Sequence, residues 1–210
     1  YISALMMIAP ALPQGLTRIL EGKIGSRPYI EMTASLMRHF GAVCTFNEDK
    51  VIIRHQAYKP ASFTVESDWS AASYWFAFAA LASEAEILLP RLTLHSLQGD
   101  SKIVTIMESL GVAAHLENDL LKLRKIASKD QLHWDFTHCP DLAQTVTVIC
   151  AVKGVKGYFT GLESLRIKET DRIAALQKKK KKIGGDLIEI DAAHWTLVPS
   201  KSLPDFASFQ

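Results

Sequence analysis

Apolar blocks alternate along this chain with short strand-like runs, and the order recurs three times. Residues 1–11, 69–82 and 142–152 are apolar around most of their circumference, which predicts helices largely enclosed by protein. Each is followed by a β-rich segment: Thr17-Arg18-Ile19-Leu20, Ala85-Glu86-Ile87-Leu88-Leu89 and Gly157-Tyr158-Phe159. A second helix then runs into glycine, in Leu36-Met37-Arg38-His39-Phe40-Gly41, in Ile106-Met107-Glu108-Ser109-Leu110-Gly111, and in a lysine-rich run ending Ile183-Gly184. Glycine after the last turn closes a helix in the left-handed conformation that other residues resist. A strand, a turn and a second strand follow each glycine, the second strands being Val51-Ile52-Ile53-Arg54, Leu120-Leu121-Lys122-Leu123 and Trp195-Thr196-Leu197-Val198.

The three glycines fall at 41, 111 and 184, intervals of 70 and 73. Repetition at that period means one supersecondary unit used three times, with neighbours burying each other's apolar faces. The period is long for a solenoid, so the predicted fold is α/β, a closed arrangement of βαβαββ units with helices packed inside sheets. Asp68 opens the first helix of the second copy and Asp141 that of the third, 73 residues later. Carried back by about 70, the same position falls just before Tyr1, so the chain is expected to start inside a unit and to be an internal fragment of a longer protein.

In the same register Ser26, Ser96 and Glu169 are equivalent, each fifteen residues before its glycine, and so are Tyr29, Gly99 and Arg172, at twelve. One corner of the unit therefore occurs in three chemical versions. The third is the most reactive: Arg166-Ile167-Lys168-Glu169-Thr170-Asp171-Arg172 packs three cations and two acids into seven residues at a predicted helix start. If the helix begins near Thr170, its unpaired N–H groups and positive dipole end add to Lys168 and Arg172, a seat for a carboxylate or phosphate, with Glu169 beside it to move protons. A solvated helix start with a capping threonine and surface ion pairs accounts for the same residues. For Ser26 and Ser96 alone the ordinary reading is capping. The five lysines at 178–182 break the repeat, because Lys179 and Lys180 stand where the other copies have Leu36, Met37, Ile106 and Met107. Burying unpaired ammonium groups there would cost several kcal/mol each, so an amphipathic native stretch is expected in their place.

Composition narrows the ligand. The chain has 210 residues, 48% hydrophobic, enough to bury a sizeable core. Its 24 basic and 22 acidic residues leave +2, too balanced for a general nucleic-acid binder, so anion recognition should come from local clusters. Cys44, Cys139 and Cys150 are odd in number and form no CxxC pair, which speaks against a disulfide framework and for a reducing, cytoplasmic setting. His133, His138 and Cys139 lie close in sequence without a recognisable metal-ligand spacing. The longest apolar run is well short of the ~20 residues of a spanning helix, so no membrane association is expected.

The chain resembles the 5-enolpyruvylshikimate-3-phosphate synthase family along essentially its whole length. The resemblance rests on Gly25-Ser26-Arg27-Pro28-Tyr29-Ile30, Ser67-Asp68-Trp69-Ser70-Ala71-Ala72-Ser73-Tyr74, Ser96-Leu97-Gln98-Gly99-Asp100, Pro140-Asp141 and the string from Arg166 to Arg172. It implies a parent of two domains, each of three βαβαββ units in the inside-out α/β barrel of enolpyruvyl transferases. Residues 1–64 would be the incomplete last unit of the first domain and 65–210 two units of the second, with the crossover near Val65 to Asp68. It further implies transfer of the enolpyruvyl group of phosphoenolpyruvate to the 5-hydroxyl of shikimate 3-phosphate, releasing phosphate, in the shikimate pathway to aromatic amino acids, with no cofactor or metal and a monomeric parent.

By that resemblance Asp141 would accept the proton of the attacking hydroxyl, Lys168 would contact that hydroxyl and phosphoenolpyruvate, and Glu169 would handle the methylene proton. Arg172 would bind the phosphoenolpyruvate carboxylate, and Ser26 and Tyr29 would hold shikimate 3-phosphate. For Asp68 and Ser70 an N-cap and its neighbour is the better reading. Ser164 stands where the family usually has asparagine contacting shikimate 3-phosphate, which shortens that contact. The family's Ser-Ser-Gln that would precede Tyr1 and further Lys, Arg and His contributors lie outside the chain, so the 210 residues are expected to be inactive alone. The alternatives are the related transferase acting on UDP-N-acetylglucosamine, which uses a reactive loop cysteine, and a noncatalytic ligand-binding module of the same fold.

Overall fold

The computed structural model describes residues 1–22, 27–47, 49–183 and 185–199. The chain divides into two compact units, Tyr1–Val65 with Leu97–Gly99, and Glu66–Ser96 with the described residues from Asp100 onward.

In the first unit, helix α1 (Ile2–Ile8) leads to strand β1 (Leu16–Ile19), helix α2 (Arg27–His39) and strands β2 (Cys44–Asn47) and β3 (Lys50–Ile53). The sheet has the order β1-β3-β2, antiparallel throughout. Met6, Ile30, Ala34 and Met37 of the helices share a core with Val51 and Ile53 of β3. Gly41 takes φ 81° just after α2, where a side chain would be strained.

The second unit holds two further copies. Helix α3 (Trp69–Leu81), strand β4 (Glu86–Pro90), helix α4 (Ile103–Leu110) and strands β5 (Val112–Glu117) and β6 (Leu120–Lys125) give a sheet ordered β4-β6-β5, the same permutation as in the first unit. Gly111 ends α4 at φ 94°, its N–H returning to the Met107 carbonyl. Asn118 and Asp119, both left-handed at φ 51° and 61°, make the two-residue hairpin between β5 and β6.

The last copy is a full βαβαββ unit: strand β7 (Gln131–Asp135), helix α5 (Leu142–Lys153), strand β8 (Lys156–Thr160), helix α6 (Arg172–Lys182) and strands β9 (Gly185–Glu189) and β10 (His194–Pro199). Its sheet runs β7-β8-β10-β9, with β7 parallel to β8 as the crossover through α5 requires. Sequence patterning anticipated every other strand here but not β7.

One apolar core serves both copies of the second unit. Helices α3 and α5 pack against each other, and α5 buries eight side chains between Leu142 and Ala151. Trp69, Phe76, Ile106, Met107, Phe136, Phe159 and Trp195 are almost wholly enclosed around them. In α6, Ile173 and Leu176 face this core while Lys178 is exposed; the side chains at 179–182 and Gly184 lie outside the described residues, and with them the expectation about the lysine run. Cys44, Cys139 and Cys150 are buried and none is in a disulfide. No described helix is long and apolar enough to cross a membrane.

Candidate active site

The corner that carries chemistry forms where α5 and α6 begin. Helix α6 starts at Arg172, one residue later than a Thr170 cap would place it. Its cap is Asp171, whose carboxylate accepts from the Ala174 N–H at 3.0 Å. An aspartate is an equally good cap and carries the charge the helix dipole favours. Thr170 is thereby left exposed on the approach. Lys168 sits in extended backbone at the end of a short 3-10 turn, Glu163–Ile167.

Asp141 stands at the start of α5 and draws the cations in. Its Oδ1 accepts from Arg172 Nη1 at 2.7 Å and lies 3.6 Å from Lys168 Nζ. Arg172 also donates from Nε to Glu169 Oε1 at 3.0 Å, and its Nη2 bonds the same oxygen. Two carboxylates thus occupy three donors of one guanidinium fork. Lys168 and Arg172 therefore meet on a common acceptor rather than through helical spacing.

Asp141, Lys168 and Arg172 are each about a quarter to a third exposed and Glu169 is 65% exposed, so the cluster is a solvated rim and not a buried ion network. A hydrogen bond from its own backbone N–H, and then the Arg172 guanidinium, hold the Glu169 carboxyl below its usual range. The Glu169 and Asp141 carboxylates in turn keep Arg172 firmly protonated.

A cavity of about 490 Å³ opens beside this rim, within the second unit. Asp141, Glu169 and Arg172 line one side, and Ser70, Ser73 and Thr145 line another. It offers a small anion the Arg172 guanidinium, with Lys168 behind Asp141 on the rim, and presents carboxylates able to take a proton from the bound molecule. No group of three or more potential metal ligands is present among the described residues.

Other positions singled out in the sequence fall elsewhere. Ser164 is half-buried in the 3-10 turn and is not part of the cavity lining. Tyr29 lies in the first turn of α2, in the first unit, where its carbonyl accepts from the Thr33 hydroxyl at 2.8 Å. Ser26 lies outside the described residues. Ser96 is not a helix cap: its hydroxyl donates to Glu66 Oε2 at 2.6 Å, and Glu66 Oε1 also accepts from Trp69 Nε1 and the Thr93 N–H. Asp68 does cap α3, accepting from the N–H groups of Ser70 and Ala71. Sequence reasoning passed over Asp100, a carboxylate only 1% exposed that receives the Ser70 hydroxyl. The signal available was its register, since Ile30 and Ile173 stand eleven residues before their glycines where Asp100 does.

The family model described as EPSP synthase (3-phosphoshikimate 1-carboxyvinyltransferase) matches residues 1–202. A 3-phosphoshikimate 1-carboxyvinyltransferase of Bacteroides fragilis strain YCH46 is 49% identical over 186 residues, covering 88% of this chain and 45% of that protein. One from Sodalis glossinidius is 31% identical, covering 97% of this chain and 47% of its own length. The chain thus spans just under half the length of these curated relatives. A solved structure of EPSP synthase from Acinetobacter baumannii superposes with a TM-score of 0.60 at 18% identity, over 82% of this chain and 41% of that one, which shows a common fold.

Proposed function

The chain belongs to the EPSP synthase family, and on that premise we propose that, within a protein of its relatives' length, it transfers the enolpyruvyl group of phosphoenolpyruvate to the 5-hydroxyl of shikimate 3-phosphate. The observation that carries this reading is the Asp141 carboxylate, shared between Arg172 at 2.7 Å and Lys168 at 3.6 Å on the wall of a polar cavity. An oxygen base held by two cations is suited to take a hydroxyl proton while the cations hold the anionic partner.

In the first step the 5-hydroxyl oxygen bonds to C2 of phosphoenolpyruvate, its proton passes to Asp141, and C3 takes a proton from Glu169 to become methyl. Lys168 offsets charge at the attacking oxygen, and Arg172 holds the carboxylate with the planar fork that suits it. In the second step the C2–O bond to phosphate breaks, phosphate leaves with the proton Asp141 had accepted, and C3 returns its proton to Glu169, restoring the double bond. Glu169 is exposed and held ionised by its own backbone N–H and then by Arg172; an incoming substrate carboxylate competes with it for that guanidinium and removes one of the two contacts that oppose its taking up a proton.

Residues 1–64 are then the last unit of the first domain and 65–210 two units of the second, with Ser26, Tyr29 and Ser164 holding shikimate 3-phosphate. The setting is cytoplasmic, the full-length protein is monomeric, and neither nucleic acid nor membrane is a partner. The rival acting on UDP-N-acetylglucosamine needs a reactive cysteine. All three cysteines here are buried, and burial pushes the Cys139 thiol up to about 11, leaving it protonated at neutral pH.

Phosphate release from phosphoenolpyruvate plus shikimate 3-phosphate tests the reading, comparing the 210-residue chain with the same sequence extended to its relatives' length. Turnover only in the extended protein is expected. Silence in both would overturn the assignment, and near-equal rates would overturn the claim that these residues are insufficient alone.

A further inference from the structure

Asp100 is a poor choice for stability alone. It is 1% exposed, its Oδ2 receives the Ser70 hydroxyl, and its Oδ1 is buried with no hydrogen-bond partner among the described residues. A buried carboxylate with an unmet oxygen is costly where an apolar side chain would serve. The repeat shows that one does serve, because the equivalent positions in the other two copies are Ile30 and Ile173, 6% and 0% exposed. Ser70 likewise corresponds to Ala143, wholly buried in the third copy. The unit folds with an Ala/Ile pair here, so the Ser/Asp pair of the second copy answers to something else.

The hydroxyl protons of Ser70, Ser73 and Thr145 point into protein. Ser70 donates to Asp100, and Ser73 donates to the Ser70 carbonyl at 2.6 Å. Thr145 lies 3.2 Å from the Ser73 oxygen; the Ser73 proton being committed, Thr145 is the donor of that pair. Of the three, only Ser70 is more than marginally accessible, and with its proton drawn inward it offers the cavity lone pairs. An acceptor beside the Asp141 carboxylate suits a donor. The nearby Lys168 and Arg172 disfavour a cationic one, which leaves a neutral hydroxyl.

We propose that Ser70 accepts a hydrogen bond from a hydroxyl of the bound substrate, and that Asp100 is the positioning residue that fixes this polarity. The assignment rests on the function proposed above and adds to it a determinant of hydroxyl recognition. In shikimate 3-phosphate the 5-hydroxyl is the nucleophile and the 3-position carries phosphate, so the hydroxyl in question is the one at C4. Burial pushes the Asp100 carboxyl up, opposed by the Ser70 hydrogen bond; Asp141 and Asp68 add to the rise and Lys168 counters it, so the carboxylate sits in the same electrostatic neighbourhood as the proposed base.

The test uses the sequence extended to its relatives' length. Ser70→Ala should raise KM for shikimate 3-phosphate about tenfold, the size of one hydrogen bond, with kcat within about twofold. With the 4-deoxy analogue, wild type and Ser70→Ala should have the same KM. Asp100→Asn, whose amide oxygen still accepts the Ser70 proton, should keep KM within about twofold of wild type. The double variant Ser70→Ala with Asp100→Ile installs the pair of the third copy and should melt no lower than wild type while keeping the KM penalty. An unchanged KM in Ser70→Ala, a penalty that persists with the deoxy analogue, an unimpaired double variant, or a tenfold KM penalty in Asp100→Asn would each overturn the proposal while wild-type turnover leaves the function standing. Absence of wild-type turnover overturns the function and this assignment with it.

Discussion

Helices α3 and α5 begin with the same residue at equivalent places, yet the two aspartates do different work. Asp68 lies at φ −74°, ψ 117°, the extended conformation of a capping residue, and its carboxylate turns back to the Ser70 N–H at 2.8 Å and the Ala71 N–H at 3.3 Å. Asp141 lies at φ −69°, ψ −24°, already helical, and makes no side-chain cap. The N–H groups of Leu142 and Ala143 instead reach the carbonyls of Cys139 and Pro140, at 3.2 and 3.1 Å. Once the preceding turn satisfies those donors, the Asp141 carboxylate is released to the cavity, and Arg172 and Lys168 converge on it. Backbone conformation one residue ahead of the helix separates a structural cap from a candidate base.

The largest expected effect isolates that difference. In the protein extended to its relatives' length, Asp141→Ala should lower kcat by about 10²–10⁴-fold, the range for removing a general base, while retaining measurable affinity for shikimate 3-phosphate. Steady-state turnover with calorimetric binding checks both halves, and undiminished turnover would remove Asp141 from the chemistry.

Within α3, Phe76 is wholly enclosed and Phe78 is 64% exposed. Phe76→Ala should therefore cost about 3–5 kcal/mol by leaving a cavity, and Phe78→Ala no more than about 0.5 kcal/mol, as read by urea unfolding of the chain. Similar costs at the two positions would contradict the packing.

Asp68→Ala should lose about 1 kcal/mol of stability, the usual worth of an N-cap, whereas Asp141→Ala should lose clearly less because no cap is removed. Equal losses would erase the contrast between the helices.

The smallest effect is a pH dependence. The folded-state pKa of Asp100 is raised, so between its ordinary and its raised value the folded chain binds more protons than the unfolded one, and stability falls as pH rises through that window. Asp100→Asn lacks this penalty. Its melting temperature should exceed that of wild type at neutral pH, with the gap closing as pH falls below the ordinary carboxylate range. A gap independent of pH would mean that Asp100 does not titrate differently on folding.

Much of the fold was legible because its signals are local. Apolar blocks marked α1, α3 and α5, Gly41 and Gly111 marked helix ends, and the β-rich runs marked most strands. Strand β7 escaped because Gln131-Leu132-His133-Trp134-Asp135 is short and has no strand at the same place in the second copy, residues 58–62; its partner β8 lies beyond an intervening helix. The cap of α6 was misplaced by one residue because Thr170 and Asp171 are both competent acceptors, and only the path of the chain selects one. The chemical corner was legible in part: Lys168, Glu169 and Arg172 are neighbours in sequence, so their clustering was never in doubt. Asp100 stood only at the end of the Ser96–Asp100 motif, and the sign that it is enclosed lay in its register with Ile30 and Ile173 rather than in its neighbours.

The sequence by itself determined the order of helices and strands, the threefold repeat and the crowding of charge between Arg166 and Arg172, because each follows from spacing along the backbone. Only the tertiary structure decided that Asp141, 31 residues away, is the carboxylate Arg172 grips, and that Asp100 is buried against Ser70. Those outcomes depend on which donor comes nearest in the packed chain and on how much water is left around each carboxylate, and neither quantity exists until the helices have closed on one another.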